Sequence, residues 1–86
     1  MARVRLRGPL KQAAGNQSEQ VIDGATVGEV LRALEAEHGP VRGWILDERG
    51  LVRRHINVFV NGEQGSAETV VGADDRIDVL PAISGG

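Results

Sequence analysis

The sequence predicts a small α+β domain, a mixed sheet of four to five strands with one main helix packed on one face. Three observations carry that reading. Arg3-Val4-Arg5-Leu6-Arg7 alternates strictly, the period of a strand with one buried and one wet face. Val27, Val30, Leu31 and Leu34 fall at i, i+3, i+4 and i+7, a single apolar helical stripe. His55-Ile56-Asn57-Val58-Phe59-Val60 and Arg76-Ile77-Asp78-Val79-Leu80 then return the pattern to strands.

In order along the chain, Val4 and Leu6 of the first strand face the core and leave three arginines outside. Gly8-Pro9 breaks that strand, and the polar stretch through Ser18 reads as a loop. Glu19-Gln20-Val21-Ile22-Asp23 is a weaker strand, a hairpin partner for the first. Thr26-Val27-Gly28-Glu29 has the form of a capping box and starts the helix. Arg32, Glu35 and Glu37 lie off the apolar stripe and are expected in solvent. Gly39-Pro40 is a stop signal, with Gly39 suited to the left-handed position past the helix end. His38 in the last turn complements the helix dipole when charged.

From residue 40 to 55 the spacing of Val41, Trp44, Ile45 and Leu46 predicts a short helical turn that drops Trp44 into an edge of the core. Asp47-Glu48-Arg49-Gly50 reads as a turn, and Arg53-Arg54 as solvated surface or a small docking patch. Asn61-Gly62, after the strongest strand, suits a type I′ hairpin. Ile56, Val58 and Val60 face inward, as do Ile77 and Val79. Phe59 and Leu80 take the outward parity, where they form a small apolar spot rimmed by Arg3, Arg5, Arg7, Arg76 and Asp78.

Composition limits the function. The 86 residues make one domain, 41% hydrophobic and 26% charged. The absence of cysteine removes disulfides, thiolate metal sites and a cysteine nucleophile, and fits a cytoplasmic protein. No stretch has the apolar run of a signal peptide or a membrane span, so no membrane partner is expected. A net charge of −2 argues against nucleic acid as a partner. Two distant histidines and no glycine-rich phosphate loop leave no catalytic dyad and no resident cofactor or metal, so the chain is not expected to be an enzyme.

The tail offers chemistry of another kind. Pro81 cannot donate to a sheet ladder, so strand pairing is expected to stop there. That divides the chain into a domain of residues 1–80 and a flexible tail of residues 81–86: Pro81, Ala82, Ile83, Ser84, Gly85 and Gly86. The two glycines let a partner's backbone close around them, and the terminal carboxylate can be threaded into another protein's active site.

With two strands before the helix and two or more after a long link, the economical arrangement is the β-grasp. Its first and last strands pair in the centre, and its edges are the second strand and the short run after Asn61-Gly62. This order of elements resembles the ubiquitin-like sulfur carriers of the ThiS/MoaD family. So do the Phe59-Val60-Asn61-Gly62-Glu63 hairpin and the ending Val79-Leu80-Pro81-Ala82-Ile83-Ser84-Gly85-Gly86. The resemblance implies that an ATP-dependent, ubiquitin-activating-like enzyme adenylates the carboxylate of Gly86, and that sulfur then replaces the adenylate as a thiocarboxylate. Gly85 and Ser84, with Pro81, Ala82 and Ile83 behind them, would thread the partner's channel. Phe59 and Leu80, with Arg5 and Arg76, would dock it.

The Leu-Pro-Ala-x-x-Gly-Gly ending most resembles carriers that feed a pyridoxal-phosphate-dependent cysteine synthase, and related carriers supply sulfur to secondary metabolites or to tRNA thiolation. Alternatives are the small subunit of molybdopterin synthase and a ubiquitin-like modifier that joins lysines. Molybdopterin-synthase subunits often carry an aromatic residue and paired prolines where this chain has Leu80-Pro81-Ala82. The nine arginines and single lysine, Lys11, argue against self-polymerisation. A passive interaction module, in which the outer face matters and the tail does not, is the third reading.

Overall fold

A computed structural model describes residues 2–7, 15 and 19–81. Five strands among them, β1 (Ala2–Leu6), β2 (Glu19–Ile22), β3 (Ile56–Val60), β4 (Glu63–Gln64) and β5 (Arg76–Pro81), form one mixed sheet in the order β2-β1-β5-β3-β4. β1 and β5 run parallel at its centre, with Arg3 opposite Arg76 and Leu6 opposite Val79. The other pairings are antiparallel. This is the β-grasp arrangement, with the expected strands at its edges.

The alternation in the strands sets which face is dry. Val4, Leu6, Ile56, Val58, Ile77 and Val79 are buried on one side, against Val27, Val30, Leu31 and Leu34 of helix α1 (Val27–Glu37). Burying each such aliphatic side chain contributes about 1.5–3 kcal/mol. Val60 is half-buried and packs against this core.

Thr26 caps α1 with an extended backbone, its Oγ1 accepting the Glu29 N–H at 3.2 Å. Glu29 reaches back to the Ala25 N–H and the Thr26 hydroxyl, each at 3.4 Å, closing the box one residue early. The N–H groups of Val27 and Gly28, otherwise without helical partners, donate to the carbonyls of Thr69 and Ala67, each at 2.9 Å. Gly28 eases that approach, since a Cβ there would stand 3.0 Å from the Ala67 carbonyl oxygen, a tight contact that would push the Ala67 backbone back by a few tenths of an ångström.

Between α1 and β3 the structure corrects three expectations. Gly39 is not in the left-handed region; it opens a 3₁₀ turn (Gly39–Val41), where Pro40 fits without needing a donor. Trp44 is 45% exposed, and Ile45 and Leu46 are buried in its stead. Glu35 is half-buried, not solvated, and causes the rearrangement: its Oε2 accepts the N–H groups of Ile45 at 3.1 Å and Leu46 at 2.9 Å. That bond draws the backbone onto the helix. A short hairpin, in which Arg53 N–H donates to the Ile45 carbonyl and Leu46 bridges Val52, then turns Ile45 and Leu46 inward. The Asp47–Gly50 turn forms as expected. Asp47 Oδ1 accepts the N–H groups of Arg49 and Leu51, and Gly50 has a φ of 81°.

Asn61 and Gly62 both have positive φ, 52° and 88°, as a type I′ hairpin requires. Asn61 does more than turn the chain. Its backbone N–H donates to the Arg76 carbonyl at 2.8 Å, and its Oδ1 accepts the Arg76 N–H at 2.9 Å. The hairpin is thereby fastened to the start of the central strand. Except for Gly15, the loop expected up to Ser18 lies outside the described residues.

Candidate functional site

The sheet face away from α1 carries the candidate docking surface. On β5, Arg76, Asp78 and Leu80 share this face, flanked by Arg3 and Arg5 of β1 and by Asn57 and Phe59 of β3. Phe59 lies opposite Asp78, and Leu80 opposite Asn57, so Phe59 and Leu80 occupy diagonal positions on adjacent strands. Both are half-buried. The face thus brings together Phe59, Leu80, Arg5 and Arg76, the four residues singled out for docking.

The charges around the spot are partly paired. Arg5 Nε lies 3.5 Å from Glu19 Oε2, and Arg76 Nε donates to Asp78 Oδ2 at 3.2 Å. Asp78 Oδ1 is buried and has no hydrogen-bond partner among the described residues. These ion pairs are surface pairs, weak and readily exchanged for a partner's groups.

Pro81 does not lie outside the sheet. It is the last described position of β5 and stands opposite Ile56, so strand pairing includes it. The root of the tail therefore springs from a strand held on both sides, by β1 and by β3. Ala82, Ile83, Ser84, Gly85 and Gly86 lie outside the described residues.

Sequence reasoning overlooked three neighbours of the spot. Asn57 is beside Leu80, Gln64 of β4 is opposite Phe59, and Val21 of β2, 56% exposed, stands opposite Arg3. The outward parity of each strand was the available signal; the strand register needed to join them was not. Among the described residues no cluster of histidine, aspartate and glutamate could hold a metal ion, and no helix is long and apolar enough to cross a membrane.

The central parallel pair, the helix Val27–Glu37 covering one face and the apolar spot towards the end of β5 define a ubiquitin-like β-grasp protein. More particularly, the chain belongs to the ThiS family, whose description matches residues 4–86. It is 34% identical to small archaeal modifier protein 1 of Haloferax volcanii over 84 residues, covering 95% of this chain and 97% of that protein. It is 30% identical to the sulfur carrier protein CysO of Mycobacterium tuberculosis over 83 residues, 90% of this chain and 89% of that one. Among solved structures, the Amycolatopsis orientalis BexX/CysO complex contains a chain that superimposes with a TM-score of 0.87 at 30% identity, with both chains covered completely. The chain is thus a member of a family of ubiquitin-like sulfur carriers and modifiers.

Proposed function

We propose that this protein is a sulfur carrier whose Gly86 carboxylate is activated and loaded by a partner enzyme. The carboxylate oxygen attacks the α-phosphate of ATP, pyrophosphate leaves, and an acyl adenylate forms. A sulfur nucleophile delivered by the partner attacks the acyl carbon and AMP leaves. Where that nucleophile is a cysteine persulfide, a second thiol of the partner attacks the donor-side sulfur of the resulting acyl disulfide, so the thiocarboxylate leaves with the electron pair and a disulfide forms on the partner. A carboxylate is a poor electrophile, and AMP supplies the leaving group it lacks. The thiocarboxylate is then a strong nucleophile, presented on a folded carrier to a sulfur-accepting biosynthetic enzyme. The Leu80-Pro81-Ala82 ending makes a cysteine synthase the acceptor of choice, and relatives named sulfur carrier protein CysO support the carrier role.

The observation that carries this reading is the family match running through to Gly86, behind a tail root set in the centre of the sheet. No catalytic side chain on the carrier is required, and the partner supplies ATP, sulfur and catalysis. Intact mass of protein purified from its native host tests it. A fraction heavier by the difference between one sulfur and one oxygen atom, localised to Gly86 by fragmentation and absent on deleting Gly86, is expected. Protein that acquires neither adenylate nor sulfur when incubated with ATP, a sulfur donor and the activating enzyme overturns it.

A second reading has its own support, since two relatives are small archaeal modifier proteins. In that case the adenylated Gly86 is passed to lysine amines of other proteins. Gly86-dependent conjugates of raised mass in cell extracts, carrying isopeptide bonds to lysine, distinguish it. The lone Lys11 bears only on self-polymerisation.

A further inference from the structure

We propose, on the carrier reading above, that Trp44, Arg42 and Arg54 form a second docking corner beside the tail root, fitted to an acidic rim on the activating enzyme. Trp44 is 45% exposed although it is the largest apolar side chain in the sequence. Its backbone is fixed on both sides. The Trp44 N–H donates to the Val41 carbonyl at 2.9 Å, Gly43 before it holds a φ of 82°, and the Ile45 N–H after it is bound by Glu35. A large aromatic held in solvent by rigid backbone loses little freedom when a partner covers it, which is the character of an interface anchor.

The exposed charges flanking the indole are cationic. Arg42 and Arg54 are exposed, and neither forms an ion pair among the described residues. Residues 42–55 hold four arginines and two acidic residues, in a chain of net charge −2. Of those two, Asp47 is engaged by Arg49 at 2.9 Å, and Glu48 lies within the Asp47–Gly50 turn at the far tip of the hairpin. Glu35 is half-buried, and its Oε2 is occupied by the N–H groups of Ile45 and Leu46. A carboxylate-bearing protein surface complements what remains, since guanidinium pairs with carboxylate in two-point geometry.

The chain path puts this corner at the end of the sheet from which the tail leaves. Arg53 N–H donates to the Ile45 carbonyl, so Arg54, next in the chain, neighbours Trp44 across the hairpin. A turn closed by the Ile56 N–H on the Arg53 carbonyl leads on to Ile56, the residue opposite Pro81. Only two residues, at most about 7 Å of chain, separate Arg54 from that position. A protein that draws in the residues beyond Pro81 therefore meets the corner in the same encounter.

Binding kinetics of the intact protein on the immobilised activating enzyme of its native host test this, with adenylation of Gly86 followed in parallel by intact mass. Trp44→Ala is expected to weaken binding about thirtyfold while the protein keeps its fold. Reversing both charges, Arg42→Glu with Arg54→Glu, is expected to slow association about tenfold at low ionic strength, the gap narrowing as salt is raised. Both reversals lie at exposed positions, so that variant decides even if Trp44→Ala fails to fold. Unchanged affinity for a folded Trp44→Ala, or an association rate unaltered or raised by the charge reversal, overturns the proposal. So does self-association of the wild type in sedimentation that Trp44→Ala abolishes without affecting enzyme binding, which gives the corner to a second copy of the chain. A wild type that is adenylated while the variants bind as it does removes the corner alone; a wild type neither bound nor adenylated removes the carrier function with it.

Discussion

Asn61 and Asp75 are joined side chain to side chain, the Asn61 Nδ2 donating to Asp75 Oδ1 at 2.9 Å. Asp75 is itself tied in by the Gly72 N–H at its Oδ2, at 2.7 Å, and by the Arg3 N–H at its carbonyl, at 3.0 Å. One small cluster therefore locks the β3–β4 turn, the entry to β5 and the start of β1.

Replacing Asn61 with glycine keeps the positive φ but removes both side-chain bonds, to Asp75 and to the Arg76 N–H. Asn61→Gly is expected to lower stability by about 1–3 kcal/mol in urea denaturation with an unchanged m value. An unaltered midpoint would mean that the clamp contributes nothing.

The same cluster sets an acid dependence. The Asn61 amide, then the Gly72 N–H, holds the Asp75 carboxyl below its ordinary value of 3.8, and the Arg49 side chain, then the Leu51 N–H, does the same for Asp47. A depressed folded-state pKa means that the unfolded chain takes up protons first. The stabilisation is therefore full above the ordinary carboxylate range and is lost as pH falls through the depressed values. Urea midpoints of wild type and Asp75→Asn should differ at neutral pH and draw together only as pH falls below about 4 and through the depressed value. Parallel curves would show that Asp75 does not contribute to the acid limb.

Between α1 and β3, burial and aromaticity part company. Ile45 is fully buried whereas Trp44 is 45% exposed. Ile45→Ala is expected to cost about 2–5 kcal/mol and Trp44→Ala about 0.5 kcal/mol. Thermal or urea unfolding of the two variants checks this order; the reverse order would place Trp44 in the core.

Under the proposed function, Phe59 at the centre of the outer face is a docking anchor. Phe59→Ala is expected to weaken binding to the activating enzyme by about 2 kcal/mol. Val70→Ala, changing a side chain 77% exposed in the segment that bridges to Thr26, should leave that affinity unchanged. Calorimetry with the isolated partner compares them, and equal losses would remove the outer face from the interface.

Local patterns made most of the sheet and helix readable. Alternation placed Val4, Leu6, Ile77 and Val79 correctly, and Thr26 and Glu29 marked the helix start. The outer-face positions of Phe59 and Leu80 also followed from parity. What escaped depended on partners distant in sequence. Glu35 looked like a surface residue because its work is to bind the backbone at Ile45 and Leu46, and no periodicity records that. The spacing of Val41, Trp44, Ile45 and Leu46 points Trp44 inward, but the hairpin built on Glu35 settles which side of the chain is dry. Pro81 was expected to stop the ladder through its missing donor, yet it stands as a paired position opposite Ile56. Arg53 read as surface charge, and only the folded chain buries its Nε.

The parallel pairing of β1 with β5 ties surface display to the history of the molecule. A nascent chain whose β5 has not emerged from the ribosome leaves β1 without its central neighbour. Arg5 and Phe59 then belong to separate, unjoined strands. The outer face exists only once β5 has emerged and the sheet has closed. A partner recognising all three strands at once would therefore discriminate mature molecules from incomplete ones, a form of quality control that needs no chaperone.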